Sequence, residues 1–129
     1  MPTKQPETTK AEFSVLKALW RVKEGTVADI RAKYIELFST EPAYTTVTTL
    51  LTRLVGKGMV NVDKERQPFL FTPAFKEESV LRARLRHFID TVFDGDTDAL
   101  MLKLVEDESL SAEALRRIEK KLESKERES

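Results

Sequence analysis

Between residues 43 and 58 the chain reads AYTTVTTLLTRLVGKG, with five threonines in the eight positions from Thr45 to Thr52. β-Branched side chains lose rotamer freedom in a helix and favour strands, so composition alone argues for β-structure. The pattern argues otherwise. A two-residue period puts Val47, Thr49, Leu51, Arg53 and Val55 on one face and Thr46, Thr48, Leu50, Thr52 and Leu54 on the other, and neither face is apolar. A helical period gathers Val47, Leu50, Leu51 and Leu54 into one arc, with Val55 at its edge. Opposite them lie Thr45, Thr49, Thr52 and Arg53, flanked by Thr46 and Thr48. The segment is therefore expected to be a helix over about 43–55, stopped by Gly56 and Gly58.

The flanking segments limit what this helix can belong to. Residues 1–8 are polar, contain two prolines and are expected to be disordered. Thr9 and Glu12 form a T-x-x-E capping box, opening a helix that carries Phe13, Leu16 and Trp20 at helical spacing to about Val22. KEGT breaks it. Thr26, with Asp29 three residues on, caps a second helix whose expected buried stripe is Val27, Ile30, Tyr34, Leu37 and Phe38. STEP at 39–42 is a turn. Beyond the glycines, Met59, Val60 and Val62 read as a strand, DKERQ as a polar turn and PFLFT as a second strand, with Pro68 favouring an edge position. The hairpin tip carries Lys64, Glu65 and Arg66.

The remainder is helical. Residues 76–93 place Val80, Leu81, Leu85, Phe88, Ile89 and Val92 on one side, and DGD at 94–96 interrupts. Residues 98–107 are apolar nearly all round, with Leu100, Met101, Leu102, Leu104 and Val105; such a helix needs burial on every side. A last helix starts near Ser109 or Ser111 and shows Leu115, Ile118 and Leu122 before a charged tail expected to fray.

Three helices followed by a hairpin is the order of a winged helix-turn-helix, in which the third helix enters the DNA major groove and the hairpin is the wing. The expected fold is mainly α with a small β-hairpin: a winged-helix DNA-binding domain over 9–75 followed by a helical region over 76–129. A groove-reading helix needs short side chains that donate, accept or touch a thymine methyl, and threonine does all three. Near the helix start, Thr45 and Thr46 also sit where backbone N–H groups favour phosphate. Exposed helix faces usually carry Glu, Lys and Gln, and β-branched residues there cost roughly a few tenths of a kcal/mol each. The candidate DNA contacts are therefore Thr45, Thr46, Thr48, Thr49, Thr52 and Arg53, with Lys64 and Arg66 on the wing. Hydroxyl-rich faces also serve protein contacts, so a winged-helix protein-interaction module is the alternative.

Charge leaves both open. Residues 1–75 carry 11 Lys and Arg against 8 Asp and Glu, and residues 76–129 carry 11 against 14, for a net charge of zero. The basic half suits a polyanion. With no cysteine, disulfides and thiolate metal sites are excluded and an intracellular, cytoplasmic home is expected. No apolar run approaches the ~20 residues that span a bilayer, and MPTKQPETTK lacks a secretory core. His87 lies off its helix's apolar stripe and reads as a surface histidine. Glu77, Glu78, Asp94, Asp96 and Asp98 read as ordinary surface and loop chemistry rather than a cation site. No G-x-S-x-G, P-loop or H-E-x-x-H pattern appears. The chain is read as a non-enzyme with no cofactor, catalytic residue or metal site.

Taken together, AEFSVLKALW, AYTTVTTLLTRLVGKGMV, PFLFTPAF and FIDTVFDG…ALMLKLVEDESLSAEALRRIEKKLE resemble the penicillinase-repressor (BlaI/MecI) family of bacterial winged-helix transcriptional regulators, over roughly residues 9–123. The resemblance implies a homodimer on a dyad-symmetric operator, repressing transcription. It implies contacts from Thr45, Thr46, Thr48 and Thr49, with Arg53, Lys64 and Arg66 nearby. It also implies a dimer interface over Phe88, Val92, Leu100, Met101, Leu102, Leu104, Val105, Leu115, Ile118 and Leu122, the short helix lying between protomers. Three departures stand out. The copper-responsive branch carries a C-terminal cysteine-rich motif, absent here. In antibiotic-responsive members a membrane sensor protease triggers cleavage at an Asn-Phe bond, where this chain has Lys103-Leu104. A Ser-Pro pair at the start of the recognition helix is replaced by Ala43-Tyr44, which removes a serine cap and sets an aromatic ring by the turn or the DNA backbone.

Overall fold

A computed structural model describes residues 7–128. The order is α1 (Lys10–Val22), α2 (Val27–Phe38), α3 (Tyr44–Gly56), β1 (Val60–Asp63), β2 (Leu70–Pro73), α4 (Glu77–Val92), α5 (Thr97–Glu106) and α6 (Ala112–Glu128). The chain divides into two compact units, Met1–Ala83 and Arg84–Ser129.

The first unit is a winged helix built on local signals. Thr9 accepts from the Glu12 N–H at 3.1 Å while Glu12 accepts from the Thr9 N–H at 2.8 Å, a complete capping box. Thr26 and Asp29 repeat it on α2, at 3.2 and 3.0 Å. These reciprocal bonds satisfy amides that each helix start would otherwise leave unpaired. Val15, Leu16 and Leu19 of α1, Ile30 of α2, and Val47, Leu51 and Leu54 of α3 form the solvent-free centre of the core. Just past the end of α3, the φ of +76° at Gly58 lets the Met59 N–H reach back to the Leu54 carbonyl at 2.9 Å. Gly56 is the last helical residue.

β1 and β2 pair antiparallel, with Val62 opposite Phe71 and Asp63 opposite Leu70. Met59, Pro68 and Phe69 fall outside the strands. Phe71 and Gly25 exchange backbone hydrogen bonds of 2.8 and 3.0 Å, so part of the KEGT break acts as a third, one-residue rung beside the wing.

Two expectations are corrected. Of the start expected to be disordered, residues 1–6 lie outside the described residues, but Glu7 and Thr8 are placed. Thr8 is buried, and the Glu7 carbonyl accepts from Lys57 Nζ at 2.9 Å. The stripe on α2 also ends early: Val27 and Ile30 are buried and Tyr34 partly so, whereas Leu37 and Phe38 are exposed. They sit in the last turn, past the end of the α1–α3 core, where Phe38 has the Tyr34 ring 4.9 Å away.

α4 carries two apolar faces rather than one. Val80 joins the winged-helix core, and Arg21 pairs with Glu77 at 3.0 Å, so its first turns belong to the first unit. Leu81, Leu85, Phe88 and Val92, at i, i+4, i+7 and i+11, are exposed. In the second unit Asp96 caps α5 by accepting from the Ala99 N–H, and Ser111 caps α6 by accepting from the Ala114 N–H. Asp94 and Gly95 take positive φ in the DGD break. α6 runs on through the charged tail to Glu128, through strong helix formers with Glu123 and Arg127 at i, i+4 spacing.

Glu12 is the buried charge in this core, only 1% exposed, and Lys57 Nζ lies 2.6 Å from its Oε1. Burial pushes its carboxyl up, but the hydrogen bond from Lys57, the bonds to Thr9 and the Lys57 charge outweigh burial and hold it below the ordinary value. A depressed folded-state carboxyl stabilises above the unfolded-state value, and that stability is lost as pH falls through the folded one. The gap in melting temperature between wild type and Glu12→Gln should therefore be widest near neutral pH. It should narrow once pH drops below about 4.5. Thermal melts across pH check this; a gap that stays constant would contradict it.

Candidate nucleic-acid interface

α3 is seated from both ends. At its start the Arg31 Nε of α2 donates to the Pro42 carbonyl at 2.7 Å, fixing the turn between α2 and α3. Ala43 occupies the N-cap position and provides no side-chain bond, so the first amides of α3 have no side-chain acceptor. At its end Lys57 reaches Glu12 and the Glu7 carbonyl. Between these points Val47, Leu50, Leu51 and Leu54 are buried.

The threonines do not form one uniform face. Thr45, Thr46 and Thr49 are exposed, and Arg53 is exposed beside them. Thr48 is partly buried, and its hydroxyl donates to the Tyr44 carbonyl at 3.1 Å. Thr52 is exposed and donates to the Thr48 carbonyl at 2.9 Å. Both use their protons on the preceding turn, the usual fate of a hydroxyl inside a helix. The hydroxyls of Thr45, Thr46 and Thr49 make no hydrogen bond among the described residues.

Thr48 and Thr52 also border a groove of about 390 Å³ between α3 and the wing, walled by Tyr44, Val55, Val62, Phe69 and Lys64 among others. Tyr44 is 53% exposed and leans over this groove. The wing tip is stapled by Asp63, which accepts from the Glu65 N–H at 3.0 Å and has Arg66 4.0 Å away. Lys64 is exposed at the rim. The tip thus carries two acids and two bases, with Arg66 drawn toward Asp63.

Several positioning residues were not singled out from sequence. Arg31 and Lys57 look like ordinary surface charges until the turn and Glu12 are in place. Asp63 follows the familiar pattern of an Asp folding its side chain onto the second residue beyond it, and could have been read. Phe69 gains meaning only once the wing lies beside α3. Of the other singled-out residues, His87 is exposed on α4. Lys103 is exposed and Leu104 partly buried on α5. Among the described residues no three or more His, Asp or Glu groups gather to hold a metal ion, and no helix is long and apolar enough to cross a membrane.

A helix-turn-helix whose second helix is half sunk in a core and half exposed, with a hairpin wing at its side and helices after it, defines the winged-helix class of regulators. The family model described as penicillinase repressor matches residues 8–124. The chain belongs to that family, whose members are regulatory DNA-binding proteins and not enzymes. Its relatives include a penicillinase repressor from Bacillus licheniformis, 26% identical over 112 residues that cover 87% of this chain and 86% of the relative. They also include the methicillin resistance regulatory protein MecI of Staphylococcus aureus (strain N315), 28% identical over 117 residues, covering 89% and 92%. A penicillinase repressor of Staphylococcus aureus is 27% identical over 111 residues, covering 86% of each.

The wing's seat makes a test of its own. A Cβ added at Gly25 would stand 2.9 Å from the Asp29 Cβ, and Asp29 cannot retreat without opening the α2 cap. Gly25→Ala should destabilise the chain by about 1–3 kcal/mol, the usual cost of overpacking. Chemical denaturation measures this, and an unchanged midpoint would show that the Gly25–Phe71 rung yields freely.

Proposed function

We propose that this chain is a dimeric, sequence-specific repressor that reads a pseudo-palindromic operator with α3 in the major groove and the wing on the backbone. The observation that carries this is the row of exposed Thr45, Thr46 and Thr49, beside Arg53, on a helix whose opposite face is fully buried. Short hydroxyls let the helix approach base edges, and their methyls suit thymine. The uncapped first turn of α3 presents N–H groups to a phosphate, and Tyr44 lies beside them over the wing groove. Thr48 and Thr52, whose protons are bound within the helix, contribute as acceptors and methyls. On the wing Lys64 supplies the main phosphate contact and Arg66 a secondary one, because Asp63 holds part of its charge.

Dimerisation rests on the apolar surface the chain leaves exposed. In the second unit Leu102 is 63% exposed and Val105, Phe88, Val92, Ile118 and Leu122 are exposed as well. Leu100, Met101, Leu104 and Leu115 are partly buried. A single chain does not give α5 the all-round burial its composition demands, and a second copy would. Such a dimer sets two α3 helices against half-sites about one helical turn apart. The family likeness also brings in a membrane sensor protease as a partner. Lys103-Leu104 at the matching position would require a protease of other specificity than one cutting Asn-Phe. A cytoplasmic location follows from this role.

The charge-balanced wing tip favours the second reading, a winged-helix module that docks protein instead of DNA. Salt separates the two. An operator reader loses affinity steeply as salt rises, by about 0.9 log unit per log unit of salt for each phosphate neutralised. A shallow slope, or equal binding to operator and random duplex, would favour the protein-docking module.

Replacing Thr49 by Asp should cost at least ~1–3 kcal/mol of specific binding, whereas Thr52→Ala should cost less because its proton is already engaged. Fluorescence titration with operator duplex checks the order of the two, and equal losses would shift recognition away from Thr49. Leu102→Glu should give monomers or unfold the second unit, as read by analytical ultracentrifugation and circular dichroism. A folded dimer would remove Leu102 from the interface.

A further inference from the structure

Glu12 and Lys57 stand 45 positions apart in sequence and meet at 2.6 Å. Glu12 is on the first turn of α1, and Lys57 is the residue on which α3 ends. The same carboxylate oxygen, Oε1, also accepts from the Thr9 N–H, and the same ammonium also donates to the Glu7 carbonyl. The carboxylate and the ammonium together tie the start of α1, the Glu7 carbonyl ahead of it and the end of α3 into a single node.

Stability alone does not account for such a node. Burying the Glu12 charge offsets much of what its attraction to the partly exposed Lys57 returns, and apolar residues of similar size often serve equally well in place of a buried pair. A buried carboxylate differs from an apolar contact in needing its donors within hydrogen-bond distance, because an unpaired buried charge is costly. An apolar face can slide by a fraction of a turn, whereas a shift that carried the end of α3 beyond the reach of Lys57 would leave the Glu12 carboxylate buried without its cation.

We infer that the Glu12–Lys57 pair is a positioning device for the recognition helix, fixing the angle at which α3 leaves the core and so the sequence discrimination of its threonines. The inference rests on the DNA-reading role proposed for α3. Thr45 lies twelve residues from Lys57, about 18 Å along the helix at 1.5 Å per residue. Over that lever a tilt of about 5° moves Thr45 by about 1.5 Å, enough to break a hydrogen bond to a base edge. Lys57 and Glu12 are positioning residues, since they act through α3 and do not themselves reach the bases.

The test uses the full chain with Lys57→Met, Glu12→Gln and Lys57→Arg, each titrated with operator duplex and with random duplex across salt. A loss of registration predicts that Lys57→Met and Glu12→Gln cut the ratio of operator to random affinity by about tenfold, equivalent to about 1.4 kcal/mol. Random-duplex affinity and the salt slope should stay at their wild-type values, and Lys57→Arg should recover most of the ratio. Two binding results overturn the inference. One is a folded Lys57→Met or Glu12→Gln with a wild-type ratio. The other is an equal loss on both duplexes with a shallower salt slope, which would make Lys57 a phosphate contact. Amide hydrogen exchange on the free protein supplies a readout independent of DNA. Faster exchange at residues 54–58 in Glu12→Gln, with α2 unchanged, supports the node; unchanged exchange there overturns it. Wild-type protein with no operator preference would defeat the DNA-reading role instead, and the exchange measurement would still decide whether the pair seats α3.

Discussion

Everything in the first unit depends on how deeply one face of α3 is sunk. Val47, Leu51 and Leu54 are fully buried against α1 and α2, and Leu50 nearly so. That burial overrides the poor helix propensity of five threonines, since a buried leucine contributes about 1.5–3 kcal/mol and each β-branched residue costs only roughly a few tenths. Once the face is sunk, the opposite one must be exposed, and its residues are the short hydroxyls. The wing is then carried into place by β1, which leaves the end of α3 through Gly58, and by the Gly25–Phe71 rung.

Features that rest on nearby residues were legible in the sequence. Thr9 with Glu12 and Thr26 with Asp29 are capping boxes because three residues of spacing bring each pair together, whatever the rest of the chain does. The period of Val47, Leu50, Leu51 and Leu54 likewise reports its own buried side. Leu37 and Phe38 continue the same kind of period, yet they are exposed, because a stripe is buried only as far as its partner helices extend. The Gly25–Phe71 rung was beyond reach for another reason: nothing near Gly25 signals a strand 46 positions away. Spacing alone makes the threonine row one outward face. That Thr48 and Thr52 turn their protons back onto the helix depends on rotamers that spacing cannot supply.

The second unit shows the same logic with its answer left open by one chain. Leu85, Phe88 and Val92 on α4, Leu102 and Val105 on α5, and Ile118 and Leu122 on α6 are all exposed. A unit of this size buries a small share of its own surface, and association is a common remedy. Apolar stripes on three helices therefore fit a part that completes its core with a second copy. The balance of charge fits too, because the acidic surplus falls in this half and leaves the winged helix mildly basic.

The exposed threonine face of α3 is proposed to lie in the major groove of operator DNA. The chain has no cysteine, so Thr49→Cys creates a single attachment point for a short photo-crosslinker. On irradiation with operator duplex, crosslinks should fall on bases inside the two half-sites, at positions related by the dyad, and should vanish when random duplex is substituted. Crosslinks only to the sugar-phosphate backbone without regard to sequence, or only to protein, would contradict the claim.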